Sequence, residues 1–247
     1  MSSAVLQSLV YSAGPVIGMA FAGVMAIWLR PRESVRGYIQ HFAAGVVFAA
    51  VGVEILPDVM HRNSPLAAAV GFAAGVIVML TVRALGRRAE ANASTGAHTP
   101  WAFITAVGVD VGVDGLLIGI GAAAGQRQGL LIAIALTGCT VSLGLATATA
   151  LLRSASAGTT AASIVALALL PALGAVGGAL LAAQLTGGWM EAALAFACAA
   201  LLYLITEELL VEAHEFQKGP ESAFATAMFF LGFLILLLID MISQQRP

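Results

Sequence analysis

Charge is what this sequence has least of. Only 10% of its 247 residues are charged, 11 basic against 13 acidic, where a soluble domain carries about a quarter. The scarcity excludes a water-solvated surface over most of the chain. With no basic or acidic tail, nothing points to nucleic acid as a partner. Cysteine is nearly missing too. Cys139 and Cys198 sit in apolar segments at no CxxC or zinc-finger spacing and read as packing residues. The chain has no His-Glu-x-x-His, and no Ser/His or Cys/His constellation at membrane depth, so an intramembrane enzyme is not expected. The first apolar segment lacks a basic leader and a small-x-small cleavage site. It reads as a span rather than a removable signal.

What the chain has is apolar length. Apolar residues make up 60% of it, and the mean hydropathy is +0.96. Short polar punctuation divides it into eight blocks, at 6–29, 39–60, 66–86, 100–124, 130–152, 161–183, 190–212 and 222–242. Each is near the ~20 residues that a helix needs to cross ~30 Å of hydrocarbon. Continuous apolar runs without alternation favour helices over barrel strands. Their Gly, Ala, Ser and Thr content permits close helix approach in lipid. The expected fold is a single all-α transmembrane domain of eight spans, with the longest connection, Gly86–Thr99, a polar loop. Basic residues set the orientation. Arg30, Arg32, Arg36, Arg83, Arg87, Arg88, Arg153 and Lys218 share one side, against Arg62, Arg127 and Arg246 on the other. The richer side belongs in the cytoplasm, which leaves both termini outside. A cell membrane follows as the location, with the bacterial inner membrane expected.

Against this background the acids stand out. Glu54 and Asp58 lie in the outer half of span 2, Asp110 and Asp114 near the middle of span 4, and Glu207, Glu208 and Glu212 toward the inner end of span 7, followed by His214 and Glu215. Glu54/Asp58, Asp110/Asp114 and Glu208/Glu212 are spaced i,i+4, which puts both carboxylates of each pair on one helix face. An ionised acid at mid-bilayer costs about 2.5–3.5 kcal/mol or more. No Lys or Arg lies at the depth of Asp110 and Asp114, so a cation or a proton must neutralise them. Ordered by depth, the clusters outline a route for cations. The bland alternatives are Asp58 exposed beside His61 and Arg62, Glu215 as the solvated end of span 7, Asp240 and His41 at the interface, and His98 alone in a loop. For Asp110 and Asp114 the alternative is a hydroxyl network with Thr105, Thr137 or Thr140.

Three segments carry a resemblance: HFAAGVVFAAVGVEILPD (His41–Asp58), DVGVDGLLIGIGAAAG (Asp110–Gly125) and EELLVEAHE (Glu207–Glu215). Together they resemble the Zrt/Irt-like (ZIP) metal transporters in span number, span order and motif placement. The first is similar to that family's second span, a glycine-rich run closed by Leu-Pro. In the last, Glu208, Glu212 and His214 take the places of an acid-x-x-Pro-acid-x-His pattern. In the middle one, Asp110 and Asp114 stand where His and Glu stand in the family's fourth-span motif, and Gly115 is retained. The resemblance implies alternating access, with a bundle containing spans 4 and 5 sliding against a scaffold.

The departures reduce the implied two-metal centre to one site. Span 5 offers Thr137, Cys139, Thr140 and Ser142, with Val141 where an acid is expected, and span 6 has no acid near Pro171. The expected site is Asp110 and Asp114 with hydroxyl or thiol help and Glu54 nearby. Asp58 gathers the ion outside, and Glu207, Glu208, Glu212 and His214 receive it inside. The resemblance implies zinc or iron, whereas carboxylate and hydroxyl oxygens favour harder ions such as Mn²⁺, Mg²⁺ or Ca²⁺. The ion is a transported substrate, with no permanently bound cofactor. The other partners are the bilayer and, as an alternative to a monomer, a second copy in a homodimer. Two other function classes fit the same residues: a proton-coupled carrier of an organic cation, and a non-transporting sensor or assembly protein.

The basic-residue asymmetry makes a direct prediction. Single cysteines at Arg87 and Arg88 react with a membrane-impermeant maleimide only from the cytoplasmic side of cells. Reaction from outside would reverse the orientation.

Overall fold

The structure is a computed structural model that describes residues 3–29, 33–62, 64–94, 100–211 and 222–244. Among them every regular element is a helix. Eight helices are long and apolar enough to cross a membrane: Ser3–Leu29, Val35–His61, Pro65–Ala84, Phe103–Ala124, Gln126–Leu151, Ala157–Ala182, Gly188–Leu209 and Ala223–Ile242, here spans 1 to 8. The protein is an all-α polytopic membrane bundle. Side chains on the outer faces confirm the solvent they meet: Leu6, Val10, Ile17 and Phe21 of span 1 are exposed, and so are Trp28, Trp101 and Trp189 near span ends. Exposed tryptophan at span ends suits the headgroup level of a bilayer.

One connection differs from its sequence reading. The helix of span 3 continues from Pro65 to Ser94, through most of the expected Gly86–Thr99 loop. Arg, Ala and Glu are strong helix formers, so leaving the hydrocarbon does not end the helix. Three spans are also locally irregular. Span 6 breaks at Leu169 into Ala157–Ala168 and Leu170–Ala182. Pro171 has no N–H to offer and its ring collides with the carbonyl one turn back. Spans 2 and 7 each contain a π turn, Val51–Ile55 and Leu204–Leu209. Each π turn carries acids: Glu54 in one, Glu207 and Glu208 in the other.

Glycine decides which helices pair. In lipid there is no hydrophobic drive between spans, so close backbone packing does the work. Spans 4 and 6 show it best. A Cβ on Gly119 would fall 2.5 Å from Ala179 N and 2.8 Å from Gly178 C, and one on Gly174 would fall 2.9 Å from Leu116 N. Span 1 meets span 5 in the same way, with Gly144 against the carbonyl of Met19. Span 2 meets span 8 through Gly45 and Gly232, and span 3 meets span 7 through Gly71 and Gly75. These four intimate pairs assemble into two sub-bundles. Spans 1, 4, 5 and 6 pack mainly on one another, and spans 2, 3, 7 and 8 form the second group. A seam runs between them, where span 5 meets span 2 and span 4 meets spans 3 and 7.

The glycine contacts carry their own test. Gly119→Ala overpacks the span 4–span 6 contact and lowers stability by about 1–3 kcal/mol. Gly177→Ala, where a Cβ meets nothing within 4 Å, is neutral or stabilising by up to about 1 kcal/mol because alanine is the better helix former. Thermal unfolding in detergent compares the two directly. Equal effects would remove close approach as the reason for these glycines.

Candidate functional site

At mid-span the seam holds a small polar cavity. Asp110 and Asp114 of span 4, Cys139, Ser142 and Leu143 of span 5, and Leu204, Glu208 and Leu209 of span 7 line it. Spacing explains the membership. Asp110 and Asp114 share one face of a regular helix, and Cys139, Ser142 and Leu143 share one face of the next, at i, i+3 and i+4. Glu208 reaches the same space from the π turn of span 7. Asp114 is buried at 5% exposure, and the charges acting on it are Asp110 and Glu208. The same three carboxylates act on the Cys139 thiol. Among the described residues, none that lines the cavity is basic.

Its chemistry is that of a cation cradle. The volume is about 40 Å³, against ~10–15 Å³ for one water by this measure. The space takes a small ion with a water or two. Ser142 adds a second, independent indication. Its residue is only 3% exposed, yet its Oγ has no hydrogen-bond partner. A buried hydroxyl left unbonded is destabilising by about 1–3 kcal/mol, and an ion or its water in the cavity would supply the missing partner. As they stand, no three His, Cys, Asp or Glu side chains among the described residues are arranged to hold a metal.

The other expected site residues lie elsewhere. Glu54 does not share the cavity. Its Oε2 is 2.9 Å from Arg127 Nε, and Arg127 Nη2 is 2.6 Å from Asp240 Oδ1. Asp240 is therefore not interfacial but buried at 1% exposure. Asp58 pairs with Arg62 at 3.3 Å on an exposed surface, which is its bland reading. The Glu54/Asp58 pair is split because a π turn holds one residue more, and each residue subtends about 100° of helix. Glu207 is exposed and paired with Arg83, which also donates to Tyr203 Oη at 3.3 Å. Glu208, expected at the inner mouth, is the member of that cluster that reaches the central cavity.

Thr137 and Thr140 turn away from the cavity toward span 1. Thr137 Oγ1 donates to Ala133 O at 2.7 Å and lies where a Cβ on Gly14 would fall, while Thr140 Oγ1 donates to Pro15 O at 3.3 Å and Thr137 O at 3.1 Å. One residue along a helix is a rotation of about 100°, enough to separate Thr140 from Cys139. Thr105 bonds Trp101 O and is exposed. His41 is buried, with its Nδ1 2.9 Å from Gly37 O, rather than interfacial. Glu212, His214, Glu215 and His98 lie outside the described residues. Sequence reading missed Arg127 and Asp240 as partners because they are 113 residues apart. It also missed Glu191, a buried acid that accepts from Ser64 N at 3.0 Å and ties span 3 to span 7.

No protein-family model matches the chain, and no curated protein matches it. What the fold and the cavity define is a class: a helical membrane protein with a carboxylate-lined cavity on the seam between two sub-bundles.

The two kinds of hydroxyl in span 5 separate site from scaffold. Thr140→Val loses bonded contacts and lowers stability of the ion-free protein by about 0.5–1.5 kcal/mol. Ser142→Ala removes an unbonded polar atom, so the ion-free protein keeps its stability or gains some. Melting temperatures in metal-free detergent solution give the comparison. A large loss in Ser142→Ala would mean that its hydroxyl is structural.

Proposed function

We propose that the protein is a divalent-cation transporter of the ZIP type. Its ion is held by Asp110, Asp114 and Glu208, with Ser142 and Cys139 completing the donor set. The observation that carries this reading is the meeting of three carboxylates and an unbonded hydroxyl in one cavity, with donors from both sub-bundles. A site divided between two bodies is the geometry that alternating access requires, because relative movement of the bodies changes which side can reach it. Spans 1, 4, 5 and 6 form the moving body in this reading, and the other four spans form the scaffold. Both termini lie outside, and uptake runs toward the cytoplasm.

Size and donor chemistry narrow the cargo. A cavity of about 40 Å³ is far below the ~300 Å³ at which sites for organic molecules begin. That favours a bare or singly hydrated ion over an organic cation. Three carboxylates and a hydroxyl suit hard ions, while the Cys139 thiol adds a softer donor, so Mn²⁺, Fe²⁺ and Zn²⁺ fit the mixture better than Mg²⁺ or Ca²⁺. Like charges around one cavity bind a divalent ion strongly, since each ion neutralises two of them.

Binding and flux test this together. Asp114→Asn, Asp110→Asn and Glu208→Gln each keep the fold and lower Mn²⁺ or Zn²⁺ affinity at least about tenfold, the equivalent of ~1.4 kcal/mol. Calorimetry on purified protein measures the affinity, and metal-sensitive dye in proteoliposomes measures the flux. Native affinity and flux in all three variants would overturn the site. Metal binding without any flux in the native protein would favour the sensor reading instead.

A further inference from the structure

The seam is tied at one end by a second charged group that the central cavity does not use. Arg127 sits in the first turn of span 5, just after the one-residue connection from span 4. Its guanidinium reaches across the seam to two acids of the other sub-bundle, Glu54 in the π turn of span 2 and Asp240 near the end of span 8. With eight spans, the close of span 2, the span 4–span 5 turn and the close of span 8 all lie on one face of the membrane, the face where span 1 begins. We propose that Arg127, Glu54 and Asp240 form a clasp that shuts the seam at this face and must release before the central cavity can open there. The clasp rests on the transport reading, since it presumes two bodies that move.

Its chemistry suits a latch better than a permanent brace. Both carboxylates are almost wholly buried, whereas the arginine side chain is 40% exposed. Arg127 Nε lies 2.9 Å from an oxygen of each acid, so one cation serves two anions. Withdrawal of Arg127 would leave two buried carboxylates facing each other without a counter-charge, which is strongly unfavourable until water or a cation enters. The closed state is held by that penalty. A purely structural pair would need no such imbalance, and would not cross the one boundary in the molecule where packing is thin. Arg83–Glu207 is the contrast: it joins spans 3 and 7 within a single sub-bundle.

The test uses Cys139 as a reporter in the full chain, with Cys198 replaced by alanine. Proteoliposomes of defined orientation are treated with a membrane-impermeant maleimide on each face in turn. Arg127→Gln raises the rate of Cys139 labelling from the Arg127 face by about tenfold, the shift that ~1.4 kcal/mol in the closing equilibrium produces. The charge swap Arg127→Glu with Glu54→Arg keeps one cation between two anions and returns the rate to that of the native pair. If Arg127→Gln does not fold, the swap decides alone: a native rate supports the clasp, and fast labelling overturns it. Unchanged labelling from the Arg127 face in Arg127→Gln also overturns it. Labelling of Cys139 from the opposite face then separates the two ideas. If that labelling persists, only the clasp falls; if Cys139 reacts from neither face in any chain, the transport reading falls with it.

Discussion

Backbone contact at glycine is the constraint on which the rest of this molecule depends. Spans surrounded by lipid gain nothing from hiding leucine, so the helices that lie closest are those whose Cα atoms can approach. Gly119 and Gly178 let span 4 settle on span 6, and Gly45 and Gly232 do the same for spans 2 and 8. Because each such contact is used within a sub-bundle, the boundary between sub-bundles is left to larger side chains. That boundary is where polar groups have room.

The distribution of charge follows from that room. Each buried or half-buried acid described at span depth either meets a cation, bonds a backbone amide, or faces the central cavity. Glu54 and Asp240 converge on Arg127, and Glu191 accepts from Ser64 N. Asp110, Asp114 and Glu208 meet in the cavity instead. In a medium of low dielectric constant such differences are large, because Coulomb energy is barely screened. The cavity is thus a concentration of negative potential on the seam. The clasp at the membrane face is nearly compensated by comparison.

Irregular helix geometry links the two groups. Glu54 and Glu208 occupy the π turns of spans 2 and 7, and each points its carboxylate across the seam. A regular helix would have rotated these side chains to other neighbours. The wide turns therefore set which acid joins which partner, and they occur where such turns are commonly found, beside functional groups.

How much of this was legible beforehand depends on the range of each interaction. Span number, span ends and the membrane setting follow from hydropathy along the chain, since a ~20-residue apolar run has one way to satisfy its backbone in lipid. The shared face of Asp110 and Asp114 was equally local, fixed by an i,i+4 spacing in a regular helix. Glu208 was visible as an acid, but its place in the cavity needed a π turn that no periodicity announces. Arg127 and Asp240 read as a loop residue and an interfacial one, because their pairing spans 113 positions. Thr140 and Ser142 looked equivalent in sequence, and only packing against span 1 showed that one hydroxyl is bonded and the other is not. The sequence by itself determined which segments cross the membrane and which carry charge into it. The tertiary structure decided which charges meet, because in a helical bundle that choice belongs to helix rotation and close contact between distant segments.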